Sequence, residues 1–275
     1  MQIPVTKLHD GVDIPMIGFG TWQIPEGPTC ADIVAHAIKV GYPSIDTATA
    51  YKNEKSVGEG IQNGGVPREQ LFITTKLWND DQGYDSTLKA FDASMEKLGL
   101  SYLDLYLIHW PGKDRYLDTW KAFIRLKEDG RIRSIGVSNF LPAHLDVIIN
   151  ETGVVPSVNQ LETHPYLHQK EALIYCKEKG ILVETWSPLM SGKEALSDPT
   201  IAEIAKAYGK TPAQVILRWH VQNGFRVIPK SITPKRVEEN IQIFDFALSQ
   251  EDMERMNALT EKNIRSGRDP MEFLF

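Results

Sequence analysis

Four side chains that together could transfer a proton to a carbonyl oxygen follow one another along the chain. They are a carboxylate, a phenol, an ammonium and an imidazole: Asp46, Tyr51, Lys76 and His109. An ammonium beside a phenol favours the phenolate, so Lys76 is expected to lower the pKa of Tyr51 from its usual value of about 10. Tyr51 would then donate a proton near neutral pH while Asp46 keeps Lys76 charged, and the imidazole would position the substrate oxygen. A bound cofactor would have to supply the hydride.

Each of these residues taken alone also has a structural explanation. An Asp–Lys pair at strand ends is more often an ion pair that stabilises the fold. A single His109 is typical of a hydrogen-bonded histidine at the end of a barrel, and a single Tyr51 is typical of an amphipathic rim. The chemical hypothesis therefore depends on finding all four at neighbouring strand ends.

The elements that would position these residues alternate between β-rich and helical patterns. Tyr84–Leu98 and Tyr116–Asp129 have apolar residues at helical spacing and a glycine just beyond each end. The β-rich runs, which recur at the length of one βα unit, are Met16–Gly18, Ser44–Asp46, Leu71–Lys76, Asp104–His109, Ser134–Ser138, Ser157–Gln160, Leu182–Thr185 and Arg226–Pro229. Eight strands alternating with helices predict a parallel sheet covered by helices.

The chain length of 275 residues fits either two small domains or one barrel. No Pro-, Gly- or Ser-rich linker divides the sequence, which favours a single (β/α)8 TIM barrel, an α/β domain spanning residues 1–275. Val5–Pro15, with Asp10-Gly11 at its centre, predicts an N-terminal β-hairpin that closes the bottom of the barrel. Active sites of such barrels lie at the opposite, C-terminal ends of the strands.

Composition indicates a globular protein of a reducing compartment. Lys and Arg number 30 against 36 Asp and Glu, and the net charge of −6 argues against a nucleic-acid partner. The apolar run Leu103–Trp110 is far shorter than the ~20 residues of a membrane helix, and the N-terminus lacks the pattern of a signal peptide. The two cysteines, Cys30 and Cys176, lack metal-binding spacing. We therefore expect a cytoplasmic monomer without a metal or a membrane partner.

Several motifs in order resemble the aldo-keto reductases, and the similarity runs from about Thr6 to the C-terminus. These motifs are Gly41–Ala48, Tyr51, Thr74-Thr75-Lys76, Ile108-His109-Trp110-Pro111, Gly136-Val137-Ser138-Asn139-Phe140, Asn159-Gln160 and Ile228-Pro229-Lys230-Ser231. The runs Lys76–Asp80 and His109–Asp114 are most similar to the branch of 2,5-diketo-D-gluconate, methylglyoxal and diketone reductases. The resemblance implies that Asp46, Tyr51, Lys76 and His109 are the four catalytic positions.

The resemblance also implies a nicotinamide cofactor held by side chains instead of by a Rossmann loop. Accordingly, Gly18–Gln23 breaks the GxGxxG pattern at its last position. The implied cofactor contacts are Thr21 and Trp22; Ser138, Asn139 and Gln160 on the carboxamide; Trp186 stacked on the ring; Ser187, Leu189 and Ser191 along the pyrophosphate; Lys230, Ser231 and Arg236 on a 2′-phosphate; and Glu239 and Asn240 beside the adenine. A guanidinium fork and a point cation suit a phosphate dianion, so NADPH is expected in preference to NADH.

Three residues depart from the pattern of the resembled family. Trp186 stands where many relatives have tyrosine, which keeps a π surface and loses the phenol. Pro43 replaces a frequent arginine, and Met190 replaces a frequent glycine in the loop expected to close over the cofactor.

Three tryptophans follow predicted strands and could form an apolar pocket for a small substrate. Trp22, Trp78 and Trp110 would line this pocket, although rim packing explains any one of them equally well, and Asn79 could bind a second substrate oxygen. The short segment beyond Glu261 predicts an open pocket with loose selectivity. Small dicarbonyls and keto-sugars suit it, because a neighbouring carbonyl makes the target carbon a better hydride acceptor.

Two other functions remain open at this point. A catalytically weak NADP-binding sensor or accessory subunit would bind the nucleotide without turnover. A metal-dependent barrel hydrolase would need several histidines and carboxylates at strand ends, where Tyr51 and Lys76 occupy key places instead.

Overall fold

An antiparallel hairpin precedes the main sheet, as predicted. In the computed structural model, which describes residues 2–192 and 194–273, strands β1 (Val5–Lys7) and β2 (Asp13–Pro15) pair with Val5 opposite Pro15. Leu8 and Ile14 pack in one apolar cluster with barrel residues of the strands that follow, including Leu105. The hairpin therefore closes one end of the barrel.

Eight parallel strands in chain order form the main sheet. They are β3 (Phe19–Gly20), β4 (Ser44–Asp46), β5 (Phe72–Leu77), β6 (Leu103–Ile108), β7 (Ile132–Ser138), β8 (Val158–Glu162), β9 (Leu182–Trp186) and β10 (Arg226–Val227). A parallel bridge between Ile17 and Val227 joins the two ends of the sheet. The predicted (β/α)8 barrel is thus confirmed, and its strands are buried on both faces, as expected for a parallel sheet covered by helices.

The helices cover the outside of this sheet. They are α1 (Pro28–Lys39), α2 (Glu54–Asn63), α3 (Tyr84–Leu98), α4 (Tyr116–Glu128), α5 (Pro142–Thr152), α6 (Lys170–Glu178), α7 (Pro199–Tyr208), α8 (Pro212–Gln222), α9 (Pro234–Ile241) and α10 (Gln250–Ala258). Gly99, in the left-handed conformation at φ 64°, ends α3 where the sequence predicts its end. Within the described ranges, no helix combines the length and the apolar character that crossing a membrane requires.

The first barrel strand begins later than predicted. The sequence places it at Met16–Gly18, whereas β3 is Phe19–Gly20. Gly18 instead donates its backbone N–H to Val227, 2.9 Å away. A Cβ at Gly18 would lie 2.7 Å from the Arg226 guanidinium, so any larger residue here would have to displace that buried side chain.

Candidate active site

The ammonium of Lys76 is the centre of the polar cluster at the C-terminal end of the strands. Lys76 lies near the end of β5 and is completely buried. Its Nζ donates to Asp46 Oδ1 at 2.5 Å, to the Thr47 carbonyl at 2.9 Å and to Tyr51 Oη at 3.3 Å. These contacts use all three ammonium protons, so the geometry fixes the direction of each N–H.

Local backbone structure brings the phenol back over the strands. Asp46 is the last residue of β4 and pairs with Thr74 in β5. A single 3₁₀ turn, Thr49–Tyr51, follows, and the left-handed Lys52 (φ 55°) ends it. As a result, the Tyr51 ring centroid lies 5.0 Å from Lys76 Nζ.

Pro43 lies before β4, where its carbonyl accepts the backbone N–H of Phe72 at 2.8 Å.

The pKa of Tyr51 shifts in the direction opposite to the sequence-based expectation. Burial raises the pKa of the phenol above 10, and the lowering effect of the Lys76 charge does not cancel it. The expected net lowering was therefore wrong, because sequence alone did not show how far the surrounding residues remove the phenol from water. Burial lowers the pKa of Lys76, but Asp46 and Tyr51 outweigh this and raise it above 10.5. At neutral pH the site thus holds a protonated phenol beside a charged ammonium.

His109 is a neutral imidazole beside the phenol. Its ring lies edge-on to Tyr51 and to Trp78, with centroids 5.6 and 5.3 Å apart. Burial, aided by the Lys76 charge, lowers its pKa well below 6.5. His109 Nδ1 is buried and has no hydrogen-bond partner within residues 2–192 and 194–273. A neutral imidazole carries one N–H donor, which suits it to hold a carbonyl oxygen.

A second polar layer, which no sequence motif predicted, lies beneath these four residues. Gln160 Nε2 donates to Asp46 Oδ2 at 3.0 Å and also to Glu184 Oε1. Glu184 forms an ion pair with Arg226, and both side chains are fully buried. Arg226 Nε donates to the Pro15 carbonyl at 2.7 Å, so the layer reaches the hairpin. The sequence does contain a signal for this layer, since Glu184 and Arg226 lie inside short strands. Charged residues are rarely buried there unless they have partners.

The residues predicted around a nicotinamide ring come together and largely bond to one another. Asn139 Nδ2 donates to the His109 carbonyl and to Ser138 Oγ, and Asn139 Oδ1 accepts the Trp186 indole N–H at 2.8 Å. The indole N–H of Trp186 is thus a hydrogen-bond donor where the tyrosine of many relatives would have its phenol, and this hydrogen bond fixes the orientation of the indole ring. Both amide protons of Gln160 point to carboxylates, so its carbonyl oxygen is the group left to accept from a carboxamide. This free acceptor fits the amide N–H₂ of a nicotinamide carboxamide.

The loop after β9 is held in an unusual backbone conformation. Ser187, Met190 and Ser191 all have positive φ, at 52°, 49° and 55°. Ser187 Oγ lies 3.3 Å from Ser191 Oγ, and Leu189 is half-buried. The Met190 side chain is 2 % exposed and packs in the cluster of Trp219 and Leu248, which explains why methionine is kept where glycine would be less strained.

The segment after β10 leaves two cations without carboxylate partners. Burial lowers the pKa of Lys230, and Arg236 is exposed on the first turn of α9. In the part of the chain that the structure describes, no ion pair involves either residue. Ser231 and Asn240 are buried, and half-buried Glu239 lies 3.9 Å from Lys235. Two unpaired cations at a helix start fit a phosphate dianion.

The predicted pocket residues are only partly brought together. Trp78 lies against His109, and Trp110 lies against Phe273 with ring centroids 4.7 Å apart. Asn79 is 7 % exposed, and both of its amide atoms lack a hydrogen-bond partner within the described residues. Trp22 is 47 % exposed and makes no ring contact with the other two tryptophans in the described ranges. Thr21 is buried, and its hydroxyl donates to the Asp46 carbonyl at 3.0 Å.

Among residues 2–192 and 194–273, no group of three or more His, Cys, Asp or Glu side chains has an arrangement that could hold a metal ion. Cys30 and Cys176 are both buried free thiols.

The chain is similar over nearly its whole length to known reductases. A glyoxal reductase of Bacillus subtilis is 54 % identical over 269 residues, which cover 98 % of this chain and 97 % of that protein. A methylglyoxal reductase, DkgA, of Yersinia pestis is 46 % identical over 273 residues, 98 % of this chain and 97 % of that protein. A crystal structure of a Gox0644 mutant in complex with NADPH superimposes with a TM-score of 0.94 at 46 % identity, and 100 % of each chain is covered.

The model of the "Aldo/keto reductase family" matches residues 16–261. The resemblance of the motifs to the aldo-keto reductases is thereby confirmed, and the relatives include a methylglyoxal reductase, as the similarity to that branch predicts, and a glyoxal reductase. This chain belongs to the aldo/keto reductase family of oxidoreductases.

Proposed function

We propose that this chain reduces the carbonyl group of small dicarbonyl compounds, with NADPH as the hydride donor. The printed activities of the two reductase relatives, on glyoxal and methylglyoxal, support this class of substrate. The NADPH complex of a structural neighbour supports the cofactor. Diketones and keto-sugars such as 2,5-diketo-D-gluconate belong to the same proposed class.

The observation that carries the proposal is the Asp46–Lys76–Tyr51 chain of contacts. Tyr51 Oη is protonated at neutral pH and lies 3.3 Å from the Lys76 ammonium. As a carbonyl oxygen gains negative charge, Tyr51 donates its proton, and the adjacent ammonium stabilises the phenolate that remains. Asp46 compensates the charge of Lys76 and keeps the ammonium group oriented. His109, neutral at this pH, donates a hydrogen bond to the same oxygen.

The bound cofactor supplies the hydride, and the protein's part is to hold it in place. Gln160, Ser138 and Asn139 would hold the carboxamide, and Trp186 would stack on the nicotinamide. Thr21, Trp22, Ser187, Leu189 and Ser191 would contact the rest of the cofactor. Lys230, Ser231 and Arg236 would hold the 2′-phosphate, and Glu239 and Asn240 would contact the adenine. The two unpaired cations are the reason to expect NADPH over NADH.

The substrate lies between the phenol and the pocket residues Trp22, Trp78 and Trp110. Asn79 offers a buried amide with an N–H₂ and a carbonyl that the described residues leave unsatisfied. A second oxygen on the substrate would satisfy the N–H₂ group, which favours dicarbonyls over simple aldehydes.

A carbonyl panel tests the proposal directly. Consumption of NADPH and of NADH is followed with glyoxal, methylglyoxal, a diketone, a keto-sugar and a simple aldehyde. We expect turnover of the dicarbonyls with NADPH and weaker turnover with NADH. Tight NADPH binding with no turnover across the panel would contradict the proposal and favour a nucleotide sensor.

We propose that the barrel acts as a single domain and as a monomer in the cytoplasm, and that it acts on small molecules without a nucleic-acid partner. The acidic net charge and the two free thiols support these assignments. Light scattering of the purified chain tests the oligomeric state, since a mass near twice 31.0 kDa would exclude a monomer.

A further inference from the structure

One buried carboxylate at the open end of the barrel takes no part in the chemistry proposed above. Glu162 is the last residue of β8 and has no exposed surface. In the sheet register it lies opposite Trp186, the last residue of β9. A fully buried carboxylate at this position needs several donors to offset its lost hydration.

Most of these donors come from the last part of the chain. We call residues 264–273 the C-terminal tail. Glu162 Oε1 accepts the backbone N–H of Ser266 at 2.6 Å and its hydroxyl at 2.5 Å, and the backbone N–H of Gly267 at 3.2 Å. Arg265 Nη1 lies 3.7 Å from Oε2, and His164 Nε2 lies 3.1 Å from Oε1. Burial alone would raise the pKa of Glu162, but these donors lower it, so the carboxylate is charged at neutral pH.

These contacts place the tail in close contact with the indole of Trp186. A Cβ added to Gly267 would lie 2.3 Å from Trp186 Cη2, so only a glycine allows this approach. The indole N–H of the same ring donates to Asn139. Both this hydrogen bond and the tail backbone therefore restrain Trp186.

The far end of the tail reaches the predicted substrate pocket. The Phe273 ring lies edge-on to Trp110, with ring centroids 4.7 Å apart, and the Arg268 guanidinium lies 4.7 Å from the Phe273 centroid. The tail therefore extends from the proposed stacking residue, Trp186, to the proposed pocket wall at Trp110.

We propose that Glu162 is a positioning residue, which fixes the C-terminal tail against Trp186 and Trp110 and thereby sets the affinity for the carbonyl substrate. This inference rests on the proposed function, because it gives Trp186 and Trp110 their roles. Glu162 acts through the tail and does not contact the reacting atoms.

The start of the tail has anchors of its own, so weakening the Glu162 contacts should not unfold the chain. The Ile264 N–H donates to the Tyr166 carbonyl at 2.8 Å. Just before it, Lys262 Nζ donates to Asp198 at 2.9 Å. Loss of the Glu162 carboxylate would release the residues that follow these anchors.

The test compares Glu162→Gln with Glu178→Gln, a substitution of an exposed glutamate on α6, in the full-length enzyme. For methylglyoxal with NADPH, we expect Glu162→Gln to raise KM about tenfold or more and to change kcat less than about threefold. The control should match the wild type. Trypsin, which cuts after Arg265 and Arg268, should cleave the Glu162→Gln tail several times faster than the wild-type tail.

A double-variant cycle asks whether Glu162 acts through the tail. Gly267→Val should also raise KM, because its side chain would displace the tail from Trp186. If both residues act through the same contact, the double variant should have a KM close to that of the more affected single variant. Multiplicative effects would show an independent role and overturn the proposal.

The remaining outcomes separate this inference from the proposed function. An unchanged KM in Glu162→Gln overturns the inference, whether or not trypsin cleaves the tail faster. A wild-type enzyme that reduces no carbonyl overturns the proposed function instead. The trypsin comparison, which needs neither substrate nor cofactor, then decides alone whether Glu162 anchors the tail.

Discussion

At the scale of single residues, burial decides the protonation states of the site. The Lys76 charge acts on both neighbours, yet removal from water has the larger effect on Tyr51 and on His109. The phenol is kept protonated and the imidazole is kept neutral. This is the combination that a proton donor and a hydrogen-bond donor require in a reduction.

The first prediction concerns the pH dependence of carbonyl reduction. The pKa of His109 lies below 6.5 and that of Tyr51 above 10, so both groups keep their required forms between these values. We expect kcat/KM to stay constant within about threefold from pH 6.5 to pH 9 and to fall only as Tyr51 ionises at higher pH. A limb centred near pH 7 to 8 in buffered steady-state assays would contradict these assignments.

The second prediction concerns the choice of cofactor. Arg236→Ala removes a guanidinium that lacks a carboxylate partner in the described chain. A charge-assisted hydrogen bond contributes about 1.5–3 kcal/mol, so KM for NADPH should rise about ten- to hundredfold. KM for NADH, which has no 2′-phosphate, should stay unchanged. An unaltered NADPH-to-NADH preference would exclude the proposed phosphate contact.

At the scale of elements, the loop after β9 shows how packing can outweigh backbone strain. Met190 has a φ of 49°, a conformation that costs a non-glycine residue about 1 kcal/mol. Truncation of a buried methionine costs about 2–5 kcal/mol. The side chain therefore stabilises the loop more than its backbone strain destabilises it.

The third prediction follows from this comparison. Met190→Gly should lower the free energy of unfolding by about 1–4 kcal/mol, which is less than the loss in Met190→Ala, where the strain remains. Urea denaturation of both variants measures the two differences. A glycine variant more stable than the wild type would mean that the packing of Met190 does not outweigh the strain.

The elements themselves were largely predictable, whereas their long-range contacts were not. Tyr84–Leu98 is the helix that its apolar spacing and Gly99 predicted. Family motifs located Lys76 and its neighbours, but the net effect of burial on Tyr51 needed the three-dimensional enclosure. The contact of Glu162 with Ser266 joins residues 104 positions apart, and no local pattern signals it.

At the scale of the whole molecule, a buried polar layer connects the two ends of the barrel. Arg226 joins the Pro15 carbonyl of the hairpin to Glu184, and Gln160 continues the path to Asp46. Burial lowers the pKa of Arg226 to about 10, so it still carries its charge at neutral pH. The hairpin thus closes the barrel with apolar residues and also holds the charged layer beneath the site.

The fourth prediction tests this layer through stability. Glu184→Met leaves Arg226 charged and without its partner, which should cost about 3–5 kcal/mol of unfolding free energy. The double variant Glu184→Met/Arg226→Met removes both charges and should recover most of that loss. Equal destabilisation in the single and the double variants, measured by urea denaturation, would show that the two side chains do not act as a pair.

The central claim is that Tyr51 donates the proton to the substrate carbonyl, and Tyr51→Phe tests it most directly. The variant keeps the ring beside His109 and removes only the hydroxyl that contacts Lys76. NADPH affinity, measured by fluorescence titration, should stay within about threefold of the wild type, while kcat for methylglyoxal should fall by at least about a hundredfold. Turnover at the wild-type rate with NADPH bound would contradict the account.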